Sequence, residues 1–431
     1  MQKEMLRMLR PVRIAIIGAG SSYTPELLDM MGQMRDKLKV AQLRLQDVDP
    51  RRLSIMEGFT RRFLANIGLE VEVSSTLDRL KAIDGVDFVI TQIRVGGNQA
   101  RVNDEKIPLK YGLLGQETTG AGGFAKALRT IPVMLDIARD VERVNPNAWI
   151  INYTNPTGIV AEAVTRYTKA RFIALCGGGR HPGNMLYKTY GITHDRVRYE
   201  YFGLNHFNFS YNITVDGQPI SDEQWRGIAQ TCGVNPELTV KMKLLPSLYL
   251  PYYHNRTHKV EALKQEPKTR GETVLEIEKE LFAQYADPAV CTKPELLSRR
   301  GGGDYAEMAL GVIRAIAYND DTFAVCNVPN GDAIPFLPRG AVVETACMVN
   351  ATGATPITFS CFPDSVRGLV AAVKSYESLT VEAAVEGDRD KALFALLAHP
   401  LVMDYDLAKP MLEELLNANR RFLPAFFPET R

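Results

Sequence analysis

The chain has 431 residues, longer than one average domain, so two lobes sharing an interface are expected. Hydrophobic residues make up 45% and charged residues 23%, and 51 Lys+Arg against 50 Asp+Glu leave a formal charge of +1, which gives no electrostatic case for nucleic acid or an acidic membrane as partner. No run reaches about 18 apolar residues and "MQKEMLRMLRPVR" has no apolar h-region, so no membrane span or signal peptide is read, while six cysteines without C-x-x-C spacing suit a reducing cytoplasm.

"VRIAIIGAG" is continuous in Val and Ile, the pattern of a buried parallel strand. It runs into Gly18-Ala19-Gly20, the opening of a dinucleotide-binding turn, but Tyr23-Thr24-Pro25 occupy the place of the third glycine. Gly18 permits the tight turn, Gly20 lets a pyrophosphate near the backbone, and the helix beginning near Thr24 offers its N–H groups. Ser21 and Ser22 are counted with these glycines as cofactor-binding. Asp47 closes the second strand, "AQLRLQDVDP", where a ribose-binding carboxylate belongs, and an acid there favours NAD over NADP. A glycine turn without ligand is the plainer alternative.

Helix 52–68, strand 69–76, a short helix near 79 and the strand "VDFVITQI" follow. Residues 91–123 then read as a polar, Gly-rich loop at the carboxyl end of the sheet. Arg94 and Arg101 in it suit a phosphate or carboxylate, which a guanidinium fork matches bidentately, and Glu117 sits where the loop can order over a ligand. A surface loop without function is the alternative. The long helix "GGFAKALRTIPVMLDIARDVERV" comes next. "NYTNPTG" then ends a strand, with Asn155 either a turn-former or an amide for sugar hydroxyls. "RFIALC" places Cys176 at the same sheet edge. Alternating strands and helices over 11–196 predict a Rossmann-like, doubly wound parallel sheet of the lactate/malate dehydrogenase kind.

From 197 the pattern changes to an α+β lobe running to 431. "VRYEYFGLNHFNFSYNITVDGQPI" reads as antiparallel strands around a "DG" turn. Helices follow in 237–290 and 303–318, mixed strands in 322–360, and helices to the end. His206 in "GLNHF" and Cys176 are too few for a structural zinc site but enough for a catalytic ion completed by substrate and water. A buried thiol and a satisfied imidazole are the alternative. Tyr249, Tyr252 and Tyr253 form an aromatic cluster, more often core than site. Arg300 precedes Gly301-Gly302-Gly303 and the next helix, which joins a cation to an anion-binding helix end.

Taken together, "GAGSSYTP", "QIRVGG", "DEKIPLKYGLLGQETTGAGG", "NYTNPTG", Cys176, "GLNHF", "YLPYY", "RGGGDY" and "PNGDAI" resemble glycoside hydrolase family 4, the NAD- and metal-dependent glycosidases, most of all their 6-phospho-β-glucosidase branch. The family stands apart from the usual two-carboxylate scheme. The resemblance implies that NAD+ takes hydride from C3 of the sugar, that the resulting ketone acidifies the C2 proton, and that the C1–O bond then breaks by elimination. Water adds, and the hydride returns. It implies a divalent ion, Mn2+ in most members, held by Cys176 and His206, with Tyr249 as the C2 base. It also implies Arg94, Arg101 and Arg300 as candidates for the 6-phosphate, with Asn155 and Glu117 toward hydroxyls and the metal environment. A homodimer or homotetramer is expected.

One position departs from the family pattern. Gly177 follows the cysteine where the family carries Asp, Asn or His, with Arg180 or His181 the nearest replacements, and this leaves anomer and phosphate requirement open. A 6-phospho-α-glucosidase or an unphosphorylated glycosidase of the same family, a 2-hydroxy-acid dehydrogenase, and a nucleotide sensor without catalysis are the competing readings.

Overall fold

The computed structural model describes residues 10–177, 181–301, 305–359 and 362–428. Strand β1 (Val12–Ile17) is buried along nearly its whole length, with Ile14 and Ile16 fully enclosed. Burying each such side chain stabilises the fold by about 1.5–3 kcal/mol, which is why a run without polar alternation settles in the middle of a sheet. It pairs in parallel with β2 (Val40–Gln46) on one side and β4 (Phe88–Thr91) on the other. Parallel pairing continues outward to β3 (Glu72–Thr76) and, on the other flank, to β5 (Trp149–Asn152) and β6 (Arg171–Ala174). Strand order therefore reverses at β1, and ligands of such sheets bind in the crevice beyond the strand ends at that point. The doubly wound parallel sheet read from the sequence is the one the chain forms.

Two segments differ from their sequence reading. Residues 91–123 are not a loop throughout, because Gly97–Lys110 is a helix that carries Arg101. Its inward face includes Asp104 and Glu105, so charge masks the apolar periodicity by which a buried helix is recognised. The strands expected in the second lobe, β11 (Thr322–Pro329), β12 (Val342–Asn350) and β13 (Gly353–Pro356), instead extend the first sheet. They add antiparallel beyond β6, giving the order β13-β12-β11-β6-β5-β4-β1-β2-β3. The sheet thus crosses the division drawn at 196/197.

The second, smaller sheet matches its reading. β7 (Val197–Leu204) and β8 (Phe207–Val215) form an antiparallel hairpin, and β9 (Gln218–Pro219) returns on β8 around Asp216-Gly217, both at positive φ. β10 (Leu245–Pro246) covers the other edge of β8. Helix Gly120–Val144 packs among its neighbouring helices, its small and aliphatic residues buried, with Lys126 and Arg129 buried among them. Among the described residues no helix is long and apolar enough to cross a membrane.

Candidate active site

A cavity of about 990 Å³ opens where β1, β2, β4 and β5 end, lined by Gly18, Gly20, Ser21, Asp47, Arg94, Arg101, Glu117, Asn155, His206, Tyr249 and Arg300 among others. The sequence-selected residues are thus brought to one space, with two exceptions. Cys176 lies just behind the wall. Ser22 is fully buried and turned away, its hydroxyl donating to Glu278 Oε1 at 2.6 Å.

The dinucleotide turn is fixed by steric limits. Gly18 has φ +88°, and a Cβ there would lie 2.9 Å from the Gln92 carbonyl oxygen. A Cβ on Gly20 would lie 2.8 Å from Asp47 Oδ2. Asp47 is already engaged, accepting from the Gly20 N–H at 2.8 Å and from the Asp49 N–H at 3.0 Å. Each carboxylate oxygen keeps a second lone pair for a ribose hydroxyl. The strand-end acid therefore also holds the glycine turn in shape.

On the opposite side Glu117 is ringed by cations. It pairs with Arg94, with Arg101 at 3.0 Å and with Lys126 at 2.8 Å. Burial pushes Glu117 up, but Arg94, Lys126 and Arg101 outweigh it and hold the carboxyl well below the usual range. Burial, followed by the Arg94 charge, pushes Lys126 down to about 7. Arg300 reaches the same cavity over the face of Tyr23, 4.5 Å from the ring centroid, with its Nε 3.4 Å from Glu278. Glu278 also accepts from Asn98 at 2.9 Å, so one carboxylate joins the dinucleotide turn to Arg300. The glycines after Gly301 lie outside the described residues, as does Arg180, and the side chain of His181 is likewise not described.

Cys176 Sγ and His206 Nε2 stand 3.5 Å apart. Two donors about 2.3 and 2.1 Å from one shared ion would be separated by roughly 3.1–3.6 Å, so the pair fits a common metal. Burial, then the Lys126 charge, pushes His206 down to about 3, which keeps the imidazole neutral as a ligand must be. A third His, Cys, Asp or Glu does not join them among the described residues, so remaining positions would fall to substrate or water. Tyr249 stacks on His206 with ring centroids 3.9 Å apart and 11° between planes. Burial and then the Cys176 sulfur raise its phenol above the ordinary value, and a bond with Thr118 opposes them. Asn155 accepts from the Thr157 hydroxyl at 3.2 Å, and Tyr305 Oη lies 3.9 Å from Cys176 Sγ.

Lys126, Glu278 and Tyr305 were missed by the sequence reading. Lys126 had a signal, a lone ammonium within "GGFAKALRTIPV". Glu278 had none, since "VLEIEKELF" carries charges at every turn.

Nearly the whole chain matches known sequences. Residues 13–185 match the model of the family 4 glycosyl hydrolases and residues 201–402 that of their C-terminal domain. A probable 6-phospho-beta-glucosidase of Bacillus subtilis (strain 168) is 38% identical over 97% of this chain and 99% of that protein. A phospho-alpha-glucosidase of Clostridium acetobutylicum is 30% identical over 96% and 99%. The 6-phospho-beta glucosidase structure from Thermotoga maritima with manganese, NAD+ and glucose-6-phosphate superposes with a TM-score of 0.89 at 32% identity, over 96% of this chain and 99% of that one. The chain belongs to family 4 of the glycosyl hydrolases. It is accordingly a glycosidase dependent on NAD and a divalent metal.

Proposed function

We propose that the protein hydrolyses 6-phospho-β-glucosides, with Cys176 and His206 holding the divalent ion and Tyr249 acting as the C2 base. The observation that carries this reading is the convergence of a metal-spaced thiol and imidazole, a stacked phenol and a cation cluster on the cavity that begins at the dinucleotide turn. When bound, NAD+ supplies reversible hydride removal at C3 and manganese supplies Lewis-acid polarisation of the sugar oxygens.

The chain's own groups then have separable tasks. Arg94, Arg101 and Arg300 line a buried wall and receive the 6-phosphate, for which their planar forks are suited. Lys126, paired with Glu117, adds a fourth cationic group to the same wall. Gly18, Gly20 and Ser21 cradle the dinucleotide pyrophosphate, with Asp47 on its ribose. Tyr249 Oη accepts the C2 proton. Burial raises its phenol pKa in the bare site, so it would work as a base only with a cation held beside it by Cys176 and His206. Asn155 orients a sugar hydroxyl. The β anomer is favoured because relatives named 6-phospho-beta-glucosidase reach 38% and 36% identity, against 30% for the phospho-alpha-glucosidase.

The test is p-nitrophenyl β-D-glucoside 6-phosphate with NAD+ and Mn2+, run beside the α anomer and the unphosphorylated β-glucoside. Nitrophenol release from the first substrate that stops with EDTA and slows with deuterium at C2 or C3 is expected. Faster turnover of the α anomer would overturn the anomeric assignment. Undiminished cleavage by enzyme stripped of dinucleotide would overturn the mechanism.

A further inference from the structure

Behind the paired thiol and imidazole lies a fully buried carboxylate, Glu344, on β12. Four side chains donate to it. Tyr201 Oη and Asn208 Nδ2 reach Oε1 at 2.6 and 2.9 Å, while Asn205 Nδ2 and Asn327 Nδ2 reach Oε2 at 2.7 and 2.9 Å. None of the four is a cation. Burying an ionised carboxyl among three amides and a phenol is expensive, and the hydrogen bonds from these donors offset that cost.

The four partners sit on two particular pieces of backbone. Asn205 precedes His206 in the β7–β8 turn and Asn208 follows it on β8, and His206 itself has φ 63°. That conformation is uncommon for a residue with a side chain and needs its surroundings to impose it. Asn327 lies on β11 opposite Ala174, the pair that joins β11 to β6, two residues before Cys176. Glu344 therefore touches both the turn that carries the imidazole and the strand that neighbours the thiol.

We propose that Glu344 is a positioning residue that fixes the spacing between Cys176 and His206, and through it the affinity for the divalent ion. The proposal rests on the reading that these two residues hold the ion. Glu344→Gln preserves shape but turns one acceptor into an amide N–H2 facing two donors. Asn208→Ala removes one donor from the start of β8, beside the turn, and leaves Glu344 itself in place.

Both variants, as full-length chains, are compared with the unaltered protein and with Cys176→Ser. Readouts are Mn2+ binding by calorimetry, the thiolate-to-metal absorption band with Co2+, and NAD+ binding by fluorescence. Glu344→Gln is expected to weaken Mn2+ binding about tenfold to a hundredfold, the range for outer partners of metal ligands. The Co2+ band should lose intensity, and NAD+ affinity should stay within about twofold, since the dinucleotide turn shares none of these bonds. Asn208→Ala should shift Mn2+ binding the same way, and it decides by the same criteria if Glu344→Gln does not fold. Mn2+ affinity within about twofold of the unaltered protein overturns the proposal, as does NAD+ affinity falling in step with it. If Cys176→Ser leaves Mn2+ binding unchanged, the assignment of the metal pair fails and the proposal falls with it. If Cys176→Ser abolishes binding while Glu344→Gln does not weaken it, only the role of Glu344 is lost.

Discussion

Lys126 is held by opposing forces that make it sensitive to pH near neutrality. Burial and Arg94 push its ammonium down to about 7, and Glu117 at 2.8 Å only partly restores it. A phosphorylated sugar bound on this wall meets an extra positive charge below that value and loses it above. The sugar phosphate's own second ionisation, near pH ~6, is about nine-tenths complete at pH 7, and the little that remains strengthens binding as pH rises, opposite to the Lys126 effect. Glucose 6-phosphate affinity is therefore expected to fall roughly tenfold from pH 7 to pH 9, the worth of one hydrogen bond to a charged group. In Lys126→Met the same titration should be nearly flat. Calorimetric Kd values across the range decide it, and an identical slope in both proteins would remove Lys126 from the binding wall. At this scale the sequence was readable where one residue type alone satisfies the backbone. Gly18 and Gly20 leave no space for a Cβ, and Asp47 accepts from the very turn they make. It was unreadable where a charge acts through non-local neighbours, as Glu278 does toward Ser22, Asn98 and Arg300.

The helix Gly97–Lys110 shows how an element can be hidden by its own function. Its buried positions include Asp104 and Glu105 as well as Ala100, Val102 and Ile107, so the periodicity that identifies an amphipathic helix is broken by the residues that matter most. Their partners explain the burial. Arg129 and Asp104 are both without exposure, joined by bonds of 2.7 and 2.5 Å, and Arg129 also donates to the Val95 carbonyl at 2.9 Å and to Asn419 at 3.2 Å. One guanidinium thus ties this helix, the segment next to Arg94 and the C-terminal region to helix Gly120–Val144. Removing one member of a buried pair leaves the other uncompensated. Arg129→Met is expected to cost about 3–5 kcal/mol, or a fall of about 3–6 °C in Tm for a chain of this length by calorimetry. Arg129→Met with Asp104→Leu should be less destabilised than Arg129→Met alone, because no charge is then stranded. A double variant as unstable as the sum of the two single ones would mean that packing, not charge, holds these elements. The kcat/KM of Arg129→Met should also fall, since the backbone beside Arg94 loses its anchor.

Pairing across the whole molecule could not be read from local pattern. The strand character of 322–360 was legible, but the neighbour that those strands choose is decided by contacts far away in sequence. β11 meets β6 through Asn327 and Ala174, and from there the sheet carries residues of both halves of the chain. The cores are shared in the same way. Ile14, Ile16 and Leu43 pack in one cluster with Leu281, Ile313 and Val349, while Phe124, Leu128 and Ile159 pack with Phe207, Val370 and Leu412. Even the dinucleotide turn is backed from afar, since Ser22 gives its hydroxyl to Glu278 and accepts at its carbonyl from Tyr285 at 3.0 Å. Cutting the chain after residue 196 would open the β6 edge and expose one side of both clusters. A fragment of residues 10–196 is therefore expected to lack near-UV circular dichroism and NAD+ binding, although it holds every glycine of the nucleotide turn. The intact chain should unfold in urea in one transition, seen alike by fluorescence and far-UV signals. A fragment with native-like near-UV signal and slow amide exchange would show that the parallel strands fold independently and that β11–β13 are a later addition to a finished unit. The nucleotide turn and Cys176 would then belong to a unit finished without β11–β13, with His206 brought to it by docking of the second sheet, whereas continuous pairing from β3 to β13 makes that unit and the C-terminal strands one sheet.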